Sequence, residues 1–177
     1  MLRNLNSVDI DFEFFVNADY SVHKGSCIKH QVHEMQDIYE KYGDFPNTYS
    51  MSNTTIQQLW WETDDIDYKH LNDVLQMEVL SVSSLLQPPG HVVPIHRDTF
   101  FKIKQSYDTK GKIIVRAFIY LQDWAIGHFV QYENDGAWHT STDWKRGDGF
   151  IWDSSILHLS ANAGLLPKYT LQISGIL

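Results

Sequence analysis

The chain has 177 residues, of which 43% are hydrophobic and 20% charged, and its 22 acidic and 14 basic residues give a net charge of −8. This length suits a single domain, 1–177, and the aromatic content of 14% excludes a mainly disordered chain. The acidic balance argues against a nucleic-acid partner, because the phosphate backbone would be repelled.

The chain carries none of the usual marks of export or membrane insertion. The N-terminal segment MLRNLNSVDIDFEFF lacks the pattern of a secretory signal, and no apolar run approaches the roughly 18 residues that a transmembrane helix needs. The single cysteine, Cys27, excludes an internal disulfide framework and a cysteine-built zinc site. We therefore expect a cytoplasmic protein with no membrane partner.

The first part of the chain, about 1–77, is predicted to be a mainly helical support region. Residues 8–22 look extended, and helical patterns occupy residues from about 30 to 77. The segment HEMQDIYEKYG places its apolar residues on one helical face, and Gly43 follows as a stop. The segments SNTTIQQLWWE and DDIDYKHLNDVL show similar stripes. Their candidate N-caps are Ser52 or Asn53 in the first and Asp65 in the second.

From about residue 78 the apolar period becomes that of strands, over about 78–177. Eight short β-rich runs are separated by turn residues such as PPG, YDTKGK, ENDG and RGDG. The run KIIVRAFIYLQ is apolar on both faces, as a strand between a helical layer and a barrel interior would be. The predicted fold is therefore α+β and mainly β: a jelly-roll, or double-stranded β-helix, core supported by N-terminal helices.

Three residues combine into a candidate metal site. His96 and Asp98 lie two apart on an extended segment, so their side chains point to one face. His158 follows on a later strand that a jelly roll can bring alongside. Two histidines and one carboxylate on one side of a metal form the facial triad typical of non-haem Fe(II) oxygenases.

Two basic residues lie on strands that we expect to face the interior. Arg116 is flanked by apolar residues, where a charge is costly without a partner. Lys168 lies ten residues after His158, with Thr170 on the same strand face, and a base with a nearby hydroxyl can hold a carboxylate. A metal triad with two inward bases fits a dicarboxylate that binds the metal at one end.

A resemblance to a known family supports this interpretation. The segment WKRGDGFIWDSSILH resembles the distal-histidine motif W-x2-G-x4-[FW]-D-x-S-x2-H of the aspartyl/asparaginyl β-hydroxylase branch of the 2-oxoglutarate- and Fe(II)-dependent oxygenases. PPGHVVPIHRD and RAFIYL are similar to two further runs of that branch. The resemblance covers about residues 78–177. Asp98 and Lys168 depart from the branch, because its vertebrate-type members lack the acid ligand and an arginine usually stands in place of the lysine.

The resemblance implies a cofactor set of Fe(II), 2-oxoglutarate and O2. His96, Asp98 and His158 would hold the iron. Lys168 would grip the far carboxylate of 2-oxoglutarate with Thr170 assisting, and Arg116 would meet the carboxylate nearer the metal or the substrate. The implied reaction hydroxylates an unactivated C–H, in an amino acid, a peptidyl amino acid or another small molecule, and releases succinate and CO2.

Five further residues are candidates for the substrate pocket, and the segment 99–115 is predicted to form a hairpin or lid over the site. The pocket candidates are Tyr120, Trp124, His128, Trp138 and Trp152. Two alternative functions stay open. One is a cupin-type metal enzyme that does not use 2-oxoglutarate, although the glutamate expected after the first ligand pair is missing from TFFKIK. The other is a jelly-roll binding module without catalysis.

Overall fold

The structure, a computed structural model, describes residues 1–22, 24–26 and 35–177. The helices are α1 (Phe12–Val16), α2 (Gln36–Tyr42), α3 (Met51–Thr54), α4 (Tyr68–Leu75) and α5 (Phe101–Ser106). The strands are β1 (Leu2–Leu5), β2 (Lys24–Ser26), β3 (Thr55–Trp61), β4 (Glu78–Gln87), β5 (His91–His96), β6 (Ile114–Tyr120), β7 (His128–Asn134), β8 (Ala137–Ser141), β9 (Gly149–Asp153), β10 (His158–Asn162) and β11 (Lys168–Ile176). Across these ranges, no helix is long and apolar enough to cross a lipid bilayer.

The strands form two antiparallel sheets that enclose the barrel interior. The larger sheet has the order β1-β9-β6-β11-β4-β3-β2, and the smaller has the order β5-β10-β7-β8. All eight strands predicted from residue 78 onward are present. The arrangement confirms the predicted double-stranded β-helix.

Alternation along the central strands separates two cores. On β6, Val115, Ala117 and Ile119 pack outward in a cluster with residues of α1 and α4, such as Phe15 and Leu71. The intervening residues of β6 face inward, where aromatic rings fill one end of the barrel. Strand β6 therefore lies between a helical layer and the barrel interior, as its two apolar faces predicted.

Where the structure describes it, the N-terminal region is less helical than predicted. Helix α1 replaces the extended segment predicted over 8–22, because Asp11 caps it by accepting a hydrogen bond from the Phe14 amide. In the second predicted helix, only α3 is helical, and it is capped by Ser50. The rest is strand β3, where the β-branched residues Thr55 and Ile56 favour extended backbone. Strands β1, β2 and β3 all join the larger sheet.

Two of the predicted helices are present. Helix α2 ends at the predicted Gly43, whose φ of +102° favours glycine. Helix α4 is capped by Asp67, rather than by Asp65, because the Asp67 carboxylate accepts the His70 amide. Within the segment 99–115, the structure shows helix α5 rather than a hairpin. Cys27 and the start of the first predicted helix lie outside the described residues.

Gly149 allows β9 to pair closely with β6. A Cβ at this position would lie 2.0 Å from the Phe118 carbonyl oxygen. We expect Gly149→Ala to lower the free energy of unfolding by about 3 kcal/mol, because the paired backbone must move apart. Urea denaturation would measure it. Gly136→Ala is the control: its Cβ would meet open space at a φ of +77°, so about 1 kcal/mol of backbone strain is expected. Equal losses in both variants would contradict the steric explanation.

Candidate functional site

The two histidines of the sequence motif meet across paired strands. Strand β5 pairs with β10 in a register that places His96 opposite His158, with ring centroids 4.2 Å apart. The register shifts between His158 and Ser160, where β5 carries an additional residue. This bulge accommodates Pro94, which has no amide hydrogen to give to the ladder. Bulges of this kind re-aim side chains beside functional sites.

The third member of the triad is close to both histidines. His96, Asp98 and His158 each offer a ligand atom, and these atoms lie within 4.8 Å of one another. All three residues are buried. The Nδ1 atoms of His96 and His158 lie 2.8 Å and 3.1 Å from the carbonyl oxygens of Pro94 and Ile156. Nδ1 must therefore carry the proton, which leaves each Nε2 lone pair free for a metal.

Burial keeps the histidines in the form that a metal needs. Burial in the barrel, with repulsion from His96, lowers the pKa of His158 to about 3. Burial also lowers the pKa of His96, against the opposing attraction of Asp98. Neutral imidazoles and an ionised carboxylate form the donor set of a facial triad, so the residues present fit a divalent transition metal such as Fe(II).

One oxygen of Asp98 is held by two groups. Trp152 Nε1 donates a hydrogen bond to Asp98 Oδ2 at 2.9 Å, and Arg116 Nε lies 3.2 Å from the same oxygen. Arg116 also donates to the Gln172 side chain. The pKa of Asp98 is lowered: burial opposes this shift, and Arg116 with the two histidines outweighs burial. The two contacts fix the orientation of the carboxylate, whose Oδ2 lies 3.9 Å from His158 Nε2.

Arg116 makes protein contacts that the sequence did not predict. The sequence indicated that it would contact the near carboxylate of a dicarboxylate or the substrate. The structure places its guanidinium against Asp98 and Gln172, and its side chain lines the cavity, so the predicted role stays a prediction. The sequence indicated that the Arg116 charge would need a partner, and Asp98, a candidate metal ligand, is that partner.

Lys168 is a buried cation without a carboxylate partner among the described residues. Its side chain is 1% exposed. The ammonium donates to Ser160 Oγ at 2.5 Å and to the carbonyl oxygens of Phe129 and Ala161 at 3.1 Å and 3.0 Å. Burial lowers the pKa of Lys168 to about 7. A buried charge with only neutral partners is costly, so the site favours an added anion.

Ser160 connects Lys168 to the triad. Ser160 follows His158 by two residues on β10, and both line the same cavity. Two residues along a strand span about 7 Å. The contact between Lys168 and Ser160 therefore lies deeper in the barrel than His158 by roughly the length of a short carbon chain. Thr170, the predicted partner of Lys168, also lines the cavity and is buried. A dicarboxylic acid that reaches from the metal position to Lys168 would therefore meet two hydroxyl groups.

The cavity in front of the triad has a volume of about 890 Å³, within the usual range for small-molecule sites.

None of the five predicted pocket residues belongs to the described wall of this cavity. Tyr120, Trp124 and His128 are directed to the far end of the barrel, where Tyr120 stacks on Trp144 at 3.8 Å. Trp138 packs near Tyr42 on the surface, and Trp152 lies behind Asp98. Aromatic residues on these strands pack in the core or at the surface, and the wall of this cavity is formed by other residues.

Some residues that line the cavity were not among the predicted site residues. Gln172 and Ser174 continue the inner face of β11 from Lys168 and Thr170. The alternation of polar residues with Leu171 and Ile173 is the signal that could have identified them. Gln58 and Trp60 also line the cavity. They were missed because their segment was predicted to be a helix.

No protein-family model matches the sequence, and no curated protein matches it either. Solved structures do resemble the fold. A prolyl-4-hydroxylase from Pseudomonas putida has a TM-score of 0.57 at 14% identity and covers 99% of this chain and 92% of its own. The non-heme alpha-ketoglutarate-dependent epimerase SnoN of nogalamycin biosynthesis has a TM-score of 0.58 at 12% identity, with 98% and 76% covered.

A third structure, the alpha-ketoglutarate-dependent carbocyclase SnoK of the same biosynthesis, has a TM-score of 0.56 at 11% identity, with 99% and 79% covered. SnoN has also been determined in complex with Fe3+, alpha-ketoglutarate and nogalamycin RO. At these identities the likeness establishes a shared fold. The chain therefore has the double-stranded β-helix of these oxygenase-type enzymes.

Proposed function

We propose that this protein is a non-haem Fe(II)- and 2-oxoglutarate-dependent dioxygenase that hydroxylates an unactivated C–H of a small molecule or residue. The observation that carries the proposal is the buried His-His-Asp triad together with the buried Lys168 of β11. Lys168 donates to Ser160, two residues after His158 on β10, and has no carboxylate partner among the described residues. The shared fold with enzymes described as alpha-ketoglutarate-dependent supports it. Bound Fe(II) and 2-oxoglutarate would activate O2, which is the oxidant: 2-oxoglutarate would be oxidised to succinate and CO2 while the substrate C–H is hydroxylated.

The triad residues would hold the metal and leave positions open. His96 and His158 would bind through Nε2, because each Nδ1 is occupied by a backbone carbonyl. Asp98 would bind through its carboxylate, whose Oδ2 lies 3.9 Å from His158 Nε2. Three protein ligands on one side of a metal leave the opposite side to cosubstrate and O2.

Lys168 would hold the far carboxylate of 2-oxoglutarate. Its ammonium already contacts Ser160 Oγ, and Thr170 lies two residues along the same strand. Charge and two hydroxyl groups suit a carboxylate better than a neutral group. The depth of this position along β10 favours a short dicarboxylic acid with its other end at the metal.

The remaining cavity would hold the substrate. The volume of about 890 Å³ leaves room beside a short dicarboxylate for a second small molecule. Within the proposed function, that substrate is an amino acid, a peptidyl amino acid or a related small acid. Buried residues around the metal position, such as Phe118 and Val130, would keep water from the reacting C–H.

Anaerobic titration of the purified protein with Fe(II) and then 2-oxoglutarate tests the proposal. We expect the visible charge-transfer band of the Fe(II)–2-oxoglutarate complex in the wild-type protein and no band in His96→Ala. Ser154→Ala, at an exposed position outside the cavity wall, is the control and should retain the band. Succinate release during turnover provides a second readout.

Two other results would contradict the proposal in different ways. Iron binding without the band would favour a cupin-type metal enzyme that does not use 2-oxoglutarate. Absence of metal binding in a folded protein would favour a binding module without catalysis. Circular dichroism of each preparation would separate loss of binding from loss of fold.

A further inference from the structure

The cavity wall is opposite in charge to the whole protein. Among the described residues that line it, Arg97, Lys102 and Arg116 are cationic and Asp98 is the one carboxylate. Three positive charges and one negative charge leave the wall with a charge of +2, whereas the chain carries −8. A divalent metal and a doubly charged cosubstrate would cancel each other, so this excess would persist. Such a cavity attracts an anion.

Lys102 is the wall cation best placed to receive that anion. Arg97 pairs with Asp37, and Arg116 pairs with Asp98. In the part of the chain that the structure describes, Lys102 forms no ion pair. Its ammonium lies 5.3 Å from the centre of the Trp60 ring, at the mouth of the cavity. The contact holds the charge beside an aromatic face without neutralising it.

The mouth of the cavity is also lined by large apolar surfaces that water covers in the free protein. Trp60 is 48% exposed, Phe101 57% and Tyr107 44%, and all three line this cavity. Exposed aromatic side chains that cluster at a cavity mark a binding surface more often than chance exposure. A ligand that carries a ring can stack on such side chains, and burying the two rings against each other favours binding. We call these three residues the aromatic rim.

We propose that Lys102 and the aromatic rim form a substrate-anchoring site, which takes the carboxylate of a small acid whose apolar, ring-bearing body packs on Trp60. The anchored acid would reach inward from the mouth, so that its far end faces the metal position. This inference rests on the proposed function, because the anchored acid is the molecule that the enzyme would hydroxylate. It narrows the substrate class to ring-bearing monocarboxylates.

Isothermal titration of the protein loaded with Ni2+ and saturating 2-oxoglutarate tests the anchor. The probes are 3-phenylpropanoate and its neutral counterpart 3-phenylpropanamide, and 2-oxoglutarate keeps both away from Lys168. We expect the acid to bind about fivefold more tightly than the amide, as one partly exposed ion pair allows. The preference should vanish in Lys102→Met. It should remain in Lys104→Met, which removes an exposed lysine of the same helix that lies outside this wall.

A second variant separates charge from packing. Trp60→Leu should weaken acid and amide alike, by about threefold to tenfold, because both probes carry the same ring. Equal binding of the two probes by wild type, or an acid preference that survives Lys102→Met, would overturn the anchor. Repeating the titration without metal and 2-oxoglutarate distinguishes the two proposals. A Lys102-dependent preference in a protein that forms no Fe(II)–2-oxoglutarate complex would support the anchor and contradict the proposed function.

Discussion

Replacing Lys168 with methionine is expected to weaken 2-oxoglutarate binding about 100-fold, because the carboxylate would lose its charged partner inside the barrel. The same change should leave the unliganded protein within about 1 kcal/mol of wild-type stability, since an apolar chain of similar length replaces a buried charge. Weaker 2-oxoglutarate binding at nearly unchanged stability would identify Lys168 as a ligand-binding residue rather than a structural one. Isothermal titration with 2-oxoglutarate in the presence of Ni2+ and urea denaturation without ligand would measure the two quantities.

Lys104→Met is the matched control, since it removes an exposed lysine that Lys168 does not contact. It should change neither the 2-oxoglutarate affinity nor the stability. A large loss of stability in Lys168→Met, with affinity retained, would show that the ammonium serves the fold through its bonds to Ser160, Phe129 and Ala161.

The buried position of Lys168 also predicts a pH dependence. Burial lowers its pKa to about 7 in the free protein, and a bound carboxylate would raise that pKa again. Binding therefore takes up a proton above about pH 7, and affinity should fall as pH rises through 8 and 9. Titration in two buffers of different ionisation enthalpy would reveal the proton uptake. An affinity that is constant from pH 6 to pH 9 would contradict this role.

The same shift affects stability in the opposite direction. Because the pKa of Lys168 is lower in the folded than in the unfolded chain, the unfolded chain binds the proton more readily. This residue's contribution to stability is therefore present above the unfolded pKa and is lost as pH falls towards the folded pKa. Saturating 2-oxoglutarate should remove that loss.

The second large effect is expected at the carboxylate of Asp98. Trp152→Phe should weaken metal binding about tenfold, and Arg116→Met up to about 100-fold, as is usual when partners of a metal ligand are removed. Trp152→Phe keeps a ring beside His158 and removes the hydrogen bond from the indole to Asp98 Oδ2. Anaerobic competition of Fe(II) with a coloured chelator would measure both affinities.

Trp124→Phe is the matched control for the tryptophan change. Its indole donates to the carbonyl oxygen of His128, away from the triad. We expect stability to change by a similar amount in both tryptophan variants and metal affinity to change only in Trp152→Phe. Unchanged metal affinity in Trp152→Phe would show that Asp98 does not depend on this bond for its orientation.

The sequence predicted the parts of the site that follow from strand alternation. His96, Asp98 and His158 were found because their spacing and strand patterns are local, and the β-region was predicted strand by strand. Lys168 stood out because its distance from His158 and its neighbour Thr170 fit one inner face. The structure brings these residues together as the fold class required.

Other parts depended on contacts that spacing does not reveal. β3 was predicted to be a helix because Ile56, Leu59 and Trp60 also fit a helical stripe; pairing with β4 decides in favour of the strand. The aromatic residues Tyr120 and Trp152 were predicted to line the pocket, but aromatic side chains suit a core and a pocket equally well. Arg116 was recognised as an inward charge, while its partner Asp98 could be identified only in three dimensions.

Strand β5 has a thermodynamic consequence that follows from its place in the smaller sheet. It is an edge strand, hydrogen-bonded to β10 alone among the described strands, and it carries His96 at its end. Local opening of this edge would separate His96 from His158, so any metal held by both would resist the opening by its own binding free energy. Amide hydrogen exchange along β5 would then slow in proportion to metal loading, and the strand would report site occupancy without any turnover.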